Sequence, residues 1–181
     1  MPEVSKDWNP VAFKEWQTVC DALETGEQRL ILRKGGISEG KLGFQWLHER
    51  FFLFPTYYHE QVEQVKPDGA GRPRALRDEI EGGAKIAIRL FAETERTERL
   101  TDREAVEALR PEHIWIDRVI EDRFSWGDEP GISVAWLKVY RLAEPWILED
   151  RKGFGGCRSW IGLPGEGDEV AARLRDAVAV G

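Results

Sequence analysis

The feature that most constrains this chain is a series of strand-like apolar segments that no regular alternation with helices separates. The longest, "ISVAWLKVYRL" (132–142), is long enough to be a central strand. A second, from about Ala84 to Glu95, sets Ile86, Ile88, Leu90 and Ala92 against Lys85, Arg89 and Glu93, the period-two pattern of a strand. "RLILR" (29–33), "RFFLF" (50–54) and "HIWIDRV" (113–119) read as further strands, and "WIL" (146–148) follows Pro145 as a short one. Strands in this order without βαβ alternation predict an α+β domain with a mixed or antiparallel sheet curled into a barrel. A parallel nucleotide-binding sheet is not expected: there is no GxGxxG and no Walker lysine loop.

Helices are expected at both ends and in the middle. Asn9-Pro10 reads as a helix start, and Phe13, Trp16, Val19, Cys20 and Leu23 then recur at three- and four-residue spacing up to Gly26. "TYYHEQVEQV" (56–65) reads as a short helix from a Thr56 cap. Thr101–Glu104 has the form of a capping box, opening a helix that Pro111 ends. A last amphipathic helix over about 168–179 places Val170, Leu174, Ala177 and Val178 on one face. "KPDGAGRPR" (66–74) is the Gly/Pro-rich candidate for a mobile loop.

At 181 residues, 41% apolar and 33% charged, the chain is expected to be one globular domain, with its core over about 9–163. No apolar run is long enough to span a membrane, and the polar N-terminus has no signal-peptide core, so a cytoplasmic protein is expected. Cys20 and Cys157 belong to no CxxC or Cys/His cluster, so neither a disulfide framework nor a zinc site is expected. The net charge of −7 argues against a general polyanion binder, but the charge is uneven. Arg29–Arg50 carries five Lys/Arg against two Asp/Glu, while Glu93–Glu129 carries twelve acids against six bases.

Several motifs in order, "FKEWQTVCDALETGEQRLILRKGGISE", "FFLFPTYYHEQ", "EHIWIDRV" and "LKVYRLAEPWI…GGCRSWIGL", resemble a bacterial domain of unknown function, number 1802. The likeness runs from about Phe13 to Leu163 and implies no activity. A fold-level similarity links the helix, the G-x-[KQ]-x-x-x-x-R opening and the late strand ending in R-x-x-x-P to ASCH and related PUA-like barrels. Those domains mostly bind RNA or modified bases, and a few are small amidohydrolases. Gly26, Gln28 and Arg33 fall on the opening motif. Gln28 replaces its usual lysine, Arg29 its threonine and Ile31 its glutamate, which counts against the amidohydrolase chemistry and leaves base or nucleotide binding.

Three local motifs are candidates for chemistry. In "RKGGISE", Arg33 and Lys34 could present donors to a phosphate or carboxylate, with Glu39 as a base or as a tether for Lys34; the alternative is a surface turn. Strand parity predicts that only one of the two cations lines a given pocket. In "FPTYYHE", His59 could titrate near neutral pH and Tyr57 could stack; the alternative is a helix start packed on the barrel. In "GGCRSW", Arg158 is a ligand-contacting cation, and Cys157 is a nucleophile only if His59 or His113 approaches it. Of the eight tryptophans, Trp46 and Trp126 in loops are the ones open to base stacking, the others being expected in the core.

The expected function is binding of an anionic nucleotide or RNA, with Arg33, Lys34, Trp46, Tyr57 and Arg158 as ligand contacts and Glu39 and His59 as acid–base groups. No cofactor or metal is expected. One alternative is a hydrolase, acting through His59 and Glu39 or as a metal-dependent nuclease through Asp150 and Lys152 of "EDRK" with Asp117 or Glu121. Another is a non-catalytic interaction protein.

Overall fold

The computed structural model describes residues 2, 4, 5, 7–34, 44–77, 85–127 and 129–181. The chain begins with strand β1 (Val11–Trp16), which runs directly into helix α1 (Gln17–Glu24), and then β2 (Leu30–Arg33) and β3 (Arg50–Thr56). A 3-10 turn over His59–Gln64 follows. The long strands β4 (Lys85–Leu100) and β5 (Ile132–Glu149) enclose α2 (Arg103–Ala108) and α3 (Asp117–Phe124). Strand β6 (Trp160–Gly162), helix α4 (Gly167–Leu174) and the two-residue β7 (Val178–Ala179) complete it. No helix among these is long and apolar enough to cross a membrane.

The seven strands form one mixed sheet in the order β2-β5-β4-β3-β1-β6, with β7 added on β5. Among the described residues only β1 and β3 run parallel, and the other pairs are antiparallel. The β4–β5 ladder carries the sheet's curl. Its register breaks between Ile88 and Leu90 and between Thr94 and Arg96, and such bulges bend and twist a strand pair. The sheet curls without closing, so β2 and β1 do not pair with each other.

Both faces of the sheet are buried, and alternate residues serve two cores. Phe13, Phe51, Leu53 and Leu90 meet α1, α3 and Trp115 on one face. Ala12, Phe52, Phe54, Ile88 and Phe91 meet Trp146, Phe154, Val170 and Leu174 on the other. A strand covered on both sides reads as an unbroken apolar run, which explains "RFFLF".

The α+β class and the mixed, curled sheet hold, while several boundaries differ. The expected N-terminal helix is half strand: residues 11–16 pair with β3 and β6, and only 17–24 are helical. Phe13 and Trp16 are spaced for either structure, and sheet pairing decides between them. "HIWIDRV" is not a strand. Only Trp115 bridges, to Val65, and α3 starts at Asp117. The expected short strand "WIL" is the end of β5, whose unpaired residues 142–145 contain Pro145; a residue with no N–H sits there at no cost to the ladder. The last helix stops at Leu174, and Val178 pairs with Arg141. In place of the helix from Thr56 there is the 3-10 turn, and Pro55 sits inside β3 instead of ending it. The capping residue of α2 is Asp102, which accepts from the Glu104 N–H at 3.2 Å.

Candidate functional site

The open side of the curl is where charge enters the core. Strand alternation that sends Phe13 inward also sends Glu15 inward, and its side chain is wholly buried. Its Oε1 accepts from the Trp16 N–H at 2.8 Å, and its Oε2 lies 3.8 Å from the Arg33 guanidinium. Arg33, the last residue of β2, donates to the carbonyl of Lys14 on β1 and lies over the Phe13 ring at 4.6 Å. A single side chain therefore spans the gap between the two strands that backbone pairing leaves open.

From α3, Arg123 enters the same region. Its Nη1 donates to the Leu32 carbonyl at 2.7 Å, satisfying an acceptor on the free edge of β2. The guanidinium packs over the rings of Trp115 and Trp16 at 4.5 and 5.0 Å. Burial pulls its pKa down to about 10, with Glu15 opposing that fall and Arg33 adding to it. Gln28, just before β2, has a matching role: it donates to the Leu30 carbonyl at 2.7 Å and accepts from the Ile114 N–H at 2.9 Å.

Outside these groups lies a cleft of about 650 Å³, between the end of β2, the C-terminal end of α3 and the β1–α1 junction. Among the described residues Arg33, Lys34 and Arg123 line it with one carboxylate, Asp122, which pairs outward with Arg118 at 3.9 Å. Trp16 and Trp126 supply two indole rings to its walls. The Lys34 ammonium stands 3.8 Å from the centre of the Trp126 ring. The arrangement offers positive charge and flat apolar faces side by side, which suits a planar ligand carrying an anion.

The other singled-out residues are dispersed. Arg33 and Lys34 both line the cleft, against the expectation that parity would allow only one; Lys34 lies beyond the end of β2, where alternation no longer applies. Glu39, together with Gly35 and Gly36, lies outside the described residues. Trp46 packs into the core against Phe13 and Phe44, at 5.3 and 4.7 Å. Tyr57 lines a separate small pocket with Cys20, Asp21 and Arg77. The neighbouring Tyr58 is the ring that meets Trp16, at 5.3 Å, and burial pushes its hydroxyl pKa up to about 12.

His59 is exposed at the start of its 3-10 turn. Arg158 is exposed and donates to the Gly153 carbonyl at 3.0 Å, in the loop where Lys14 donates to Gly156 at 3.1 Å. His113 is buried beside Trp115, whereas Cys157 is exposed in that same loop as Arg158. Of the carboxylates suggested as partners for Asp150, Asp117 pairs with Arg110 at 2.9 Å and Glu121 is held by Arg103. Among the described residues no three His, Cys, Asp or Glu side chains are grouped to hold a metal ion.

Sequence reasoning missed Glu15 and Arg123. The available signal was a charge inside an apolar segment, Glu15 in "VAFKEW" and Arg123 in "VIEDRF", where a buried charge demands a partner.

A curled mixed sheet with helices at its open side defines the fold as ASCH-like. The crystal structure of ASCH from Zymomonas mobilis matches with a TM-score of 0.53 at 12% identity, covering 92% of this chain and 95% of that one. A mutant of the same protein matches at 0.52 and 13% identity, covering 94% and 99%. A second mutant matches at 0.50 and 15%, covering 92% and 99%. Identities this low carry the fold alone. No curated protein matches in sequence. The chain belongs to the family described as Domain of unknown function (DUF1802), whose model matches residues 12–177.

Proposed function

We propose that this protein binds a nucleoside phosphate, either a free nucleotide or a unit of single-stranded RNA, in the cleft beside Arg33. The observation that carries the reading is the lining: among the described residues, three cations face one outward-paired carboxylate, with two indole rings beside them. A phosphate would meet Arg33 and Lys34 as charge-assisted donors, and a base would lie against an indole face. Arg123, sealed by protein, adds a fixed positive charge behind them. The ASCH-like fold supports the reading as an analogy, since such domains mostly bind RNA or modified bases.

The test is binding of labelled single-stranded RNA octamers and of adenosine 5′-monophosphate across a salt series. With Arg33 and Lys34 neutralising about two phosphates, the logarithm of the RNA affinity should fall against log salt with a slope of about −1.4. Lys34→Ala should weaken binding and reduce that slope by about 0.7. Absence of binding to either probe, or RNA affinity that ignores salt, would overturn the proposal. The metal-dependent nuclease reading has less support, because Asp117 and Glu121 are already engaged by arginines.

A further inference from the structure

Within the cleft the two indoles are placed differently. Trp16 stands at the β1–α1 junction, half-buried and packed edge-on against Trp115 and Tyr58, so it has little free face. Trp126 follows α3 on the outer rim and is 42% exposed. The chain turns behind it at Gly127, whose φ of +86° is one a side chain rarely adopts, and the indole lines the rim of the cleft. One face of its ring is covered by the Lys34 ammonium at 3.8 Å. Such a contact at an exposed position is weak enough to exchange. Arg33, by contrast, is tied down by the Lys14 carbonyl and by Glu15, so its position does not depend on a ligand.

We infer that Trp126 is the stacking surface for the base of the bound nucleotide and that Lys34 leaves the ring for the phosphate as the base enters. The inference rests on the nucleotide reading above and adds the ligand's form to it: an unpaired base carrying a phosphate. The exchange matches each partner better than before. The indole trades a cation for an aromatic face, and the ammonium trades a ring for an anion that can accept its hydrogen bonds. A base inside a duplex has no free face to offer, so double-stranded RNA can reach this contact only through its terminal pairs and should bind more weakly than single strand. Phosphate without a base leaves Lys34 with two competing partners.

The experiment compares the unmodified protein with Trp126→Ala, Trp126→Phe and Lys34→Met. The probes are adenosine 5′-monophosphate, ribose 5-phosphate, a single-stranded RNA octamer and the same octamer in a duplex. The unmodified protein should prefer adenosine 5′-monophosphate over ribose 5-phosphate, and single strand over duplex. Trp126→Ala should lose about 10- to 100-fold for base-bearing probes, the range for one base–aromatic stack, and should bind ribose 5-phosphate at least as well as the unmodified protein does, since the ring no longer competes for Lys34. Trp126→Phe should keep most of the affinity, which separates stacking from loss of folding. Lys34→Met should weaken both monophosphates alike. Quenching of indole fluorescence by adenosine 5′-monophosphate should disappear in Trp126→Phe. If the unmodified protein binds these probes and Trp126→Ala binds them equally well, the inference is overturned while nucleotide binding stands. If the unmodified protein binds none of them, nucleotide binding itself is overturned.

Discussion

At the scale of single residues, the cleft depends on a group that scarcely reaches its surface. Arg123 is held where water is excluded, by one carbonyl, two indole faces and the charge of Glu15. Removing it strands the Leu32 carbonyl and leaves Glu15 with only Arg33. Arg123→Ala should therefore cost about 3–5 kcal/mol in urea unfolding, the cost of breaking a buried charge pairing. Titration at two other sites makes opposite contributions to acid stability. Burial, helped by Lys66 and Arg123, pulls the His113 pKa down from 6.5 to about 4. Between those values the unfolded chain takes up the proton and the folded chain does not, so stability falls as pH drops from about 6.5 to about 4. Burial raises Asp21 from 3.8 to about 6 against the pull of Arg77, so the folded chain takes up that proton first and gains stability as pH falls through 6. His113→Gln should thus leave a protein whose urea midpoint rises on acidification from pH 6 to pH 4. Asp21→Asn should leave one whose midpoint falls.

Elements hold together here through side chains as much as through backbone ladders. Gln28 joins β2 to the segment before α3 by one donated and one accepted bond, both buried. Gln28→Ala would orphan the Ile114 N–H and a Leu30 acceptor, and about 2–4 kcal/mol of stability should be lost. A lysine at position 28 could donate to Leu30 but could not accept from Ile114, so the glutamine suits a structural tie. The Gly/Pro-rich stretch 66–74, expected to be a mobile loop, is tied down together with the residues that follow it. Arg74 donates to the Lys66 carbonyl and to Glu27, while Arg77 pairs with Asp21 and Glu24 and its N–H reaches Gln17. Arg77→Ala should cost only about 1 kcal/mol, since these pairs are partly exposed. It should nevertheless speed tryptic cleavage after Arg74 several-fold, because local opening responds to local ties.

For the whole molecule the decisive contact is the one Arg33 makes across the unpaired side of the sheet. The curl set by the β4–β5 bulges brings β2 towards β1 without hydrogen-bonding them. Arg33 fills the gap through Lys14, Glu15 and Phe13 at once. Arg33→Ala should lower stability and widen the open side, with faster amide exchange along residues 11–16 than along β4. Arg33→Lys should restore little of either, because an ammonium lacks the planar fork that reaches a carbonyl and a ring together. Unchanged exchange in Arg33→Ala would show that the β4–β5 curl holds the opening without it.

The alternating and unbroken apolar runs were enough, by themselves, to define an α+β chain built on a curled mixed sheet. They also marked the end of "LILRK" as a place where cations meet a turn. Residues 11–16 were not decided locally, because "VAFKEW" satisfies helical spacing as well as strand pairing, and partners far along the chain, in β3 and β6, settled it. The company of Arg33 was decided the same way. Trp46, Tyr57 and Arg158 have the right chemistry in other places, while Trp126 and Arg123, from an acidic stretch, stand at the cleft. Local pattern records how much of each side chain must leave water. Which side chains then meet depends on how the sheet curls, and that is a property of long-range pairing.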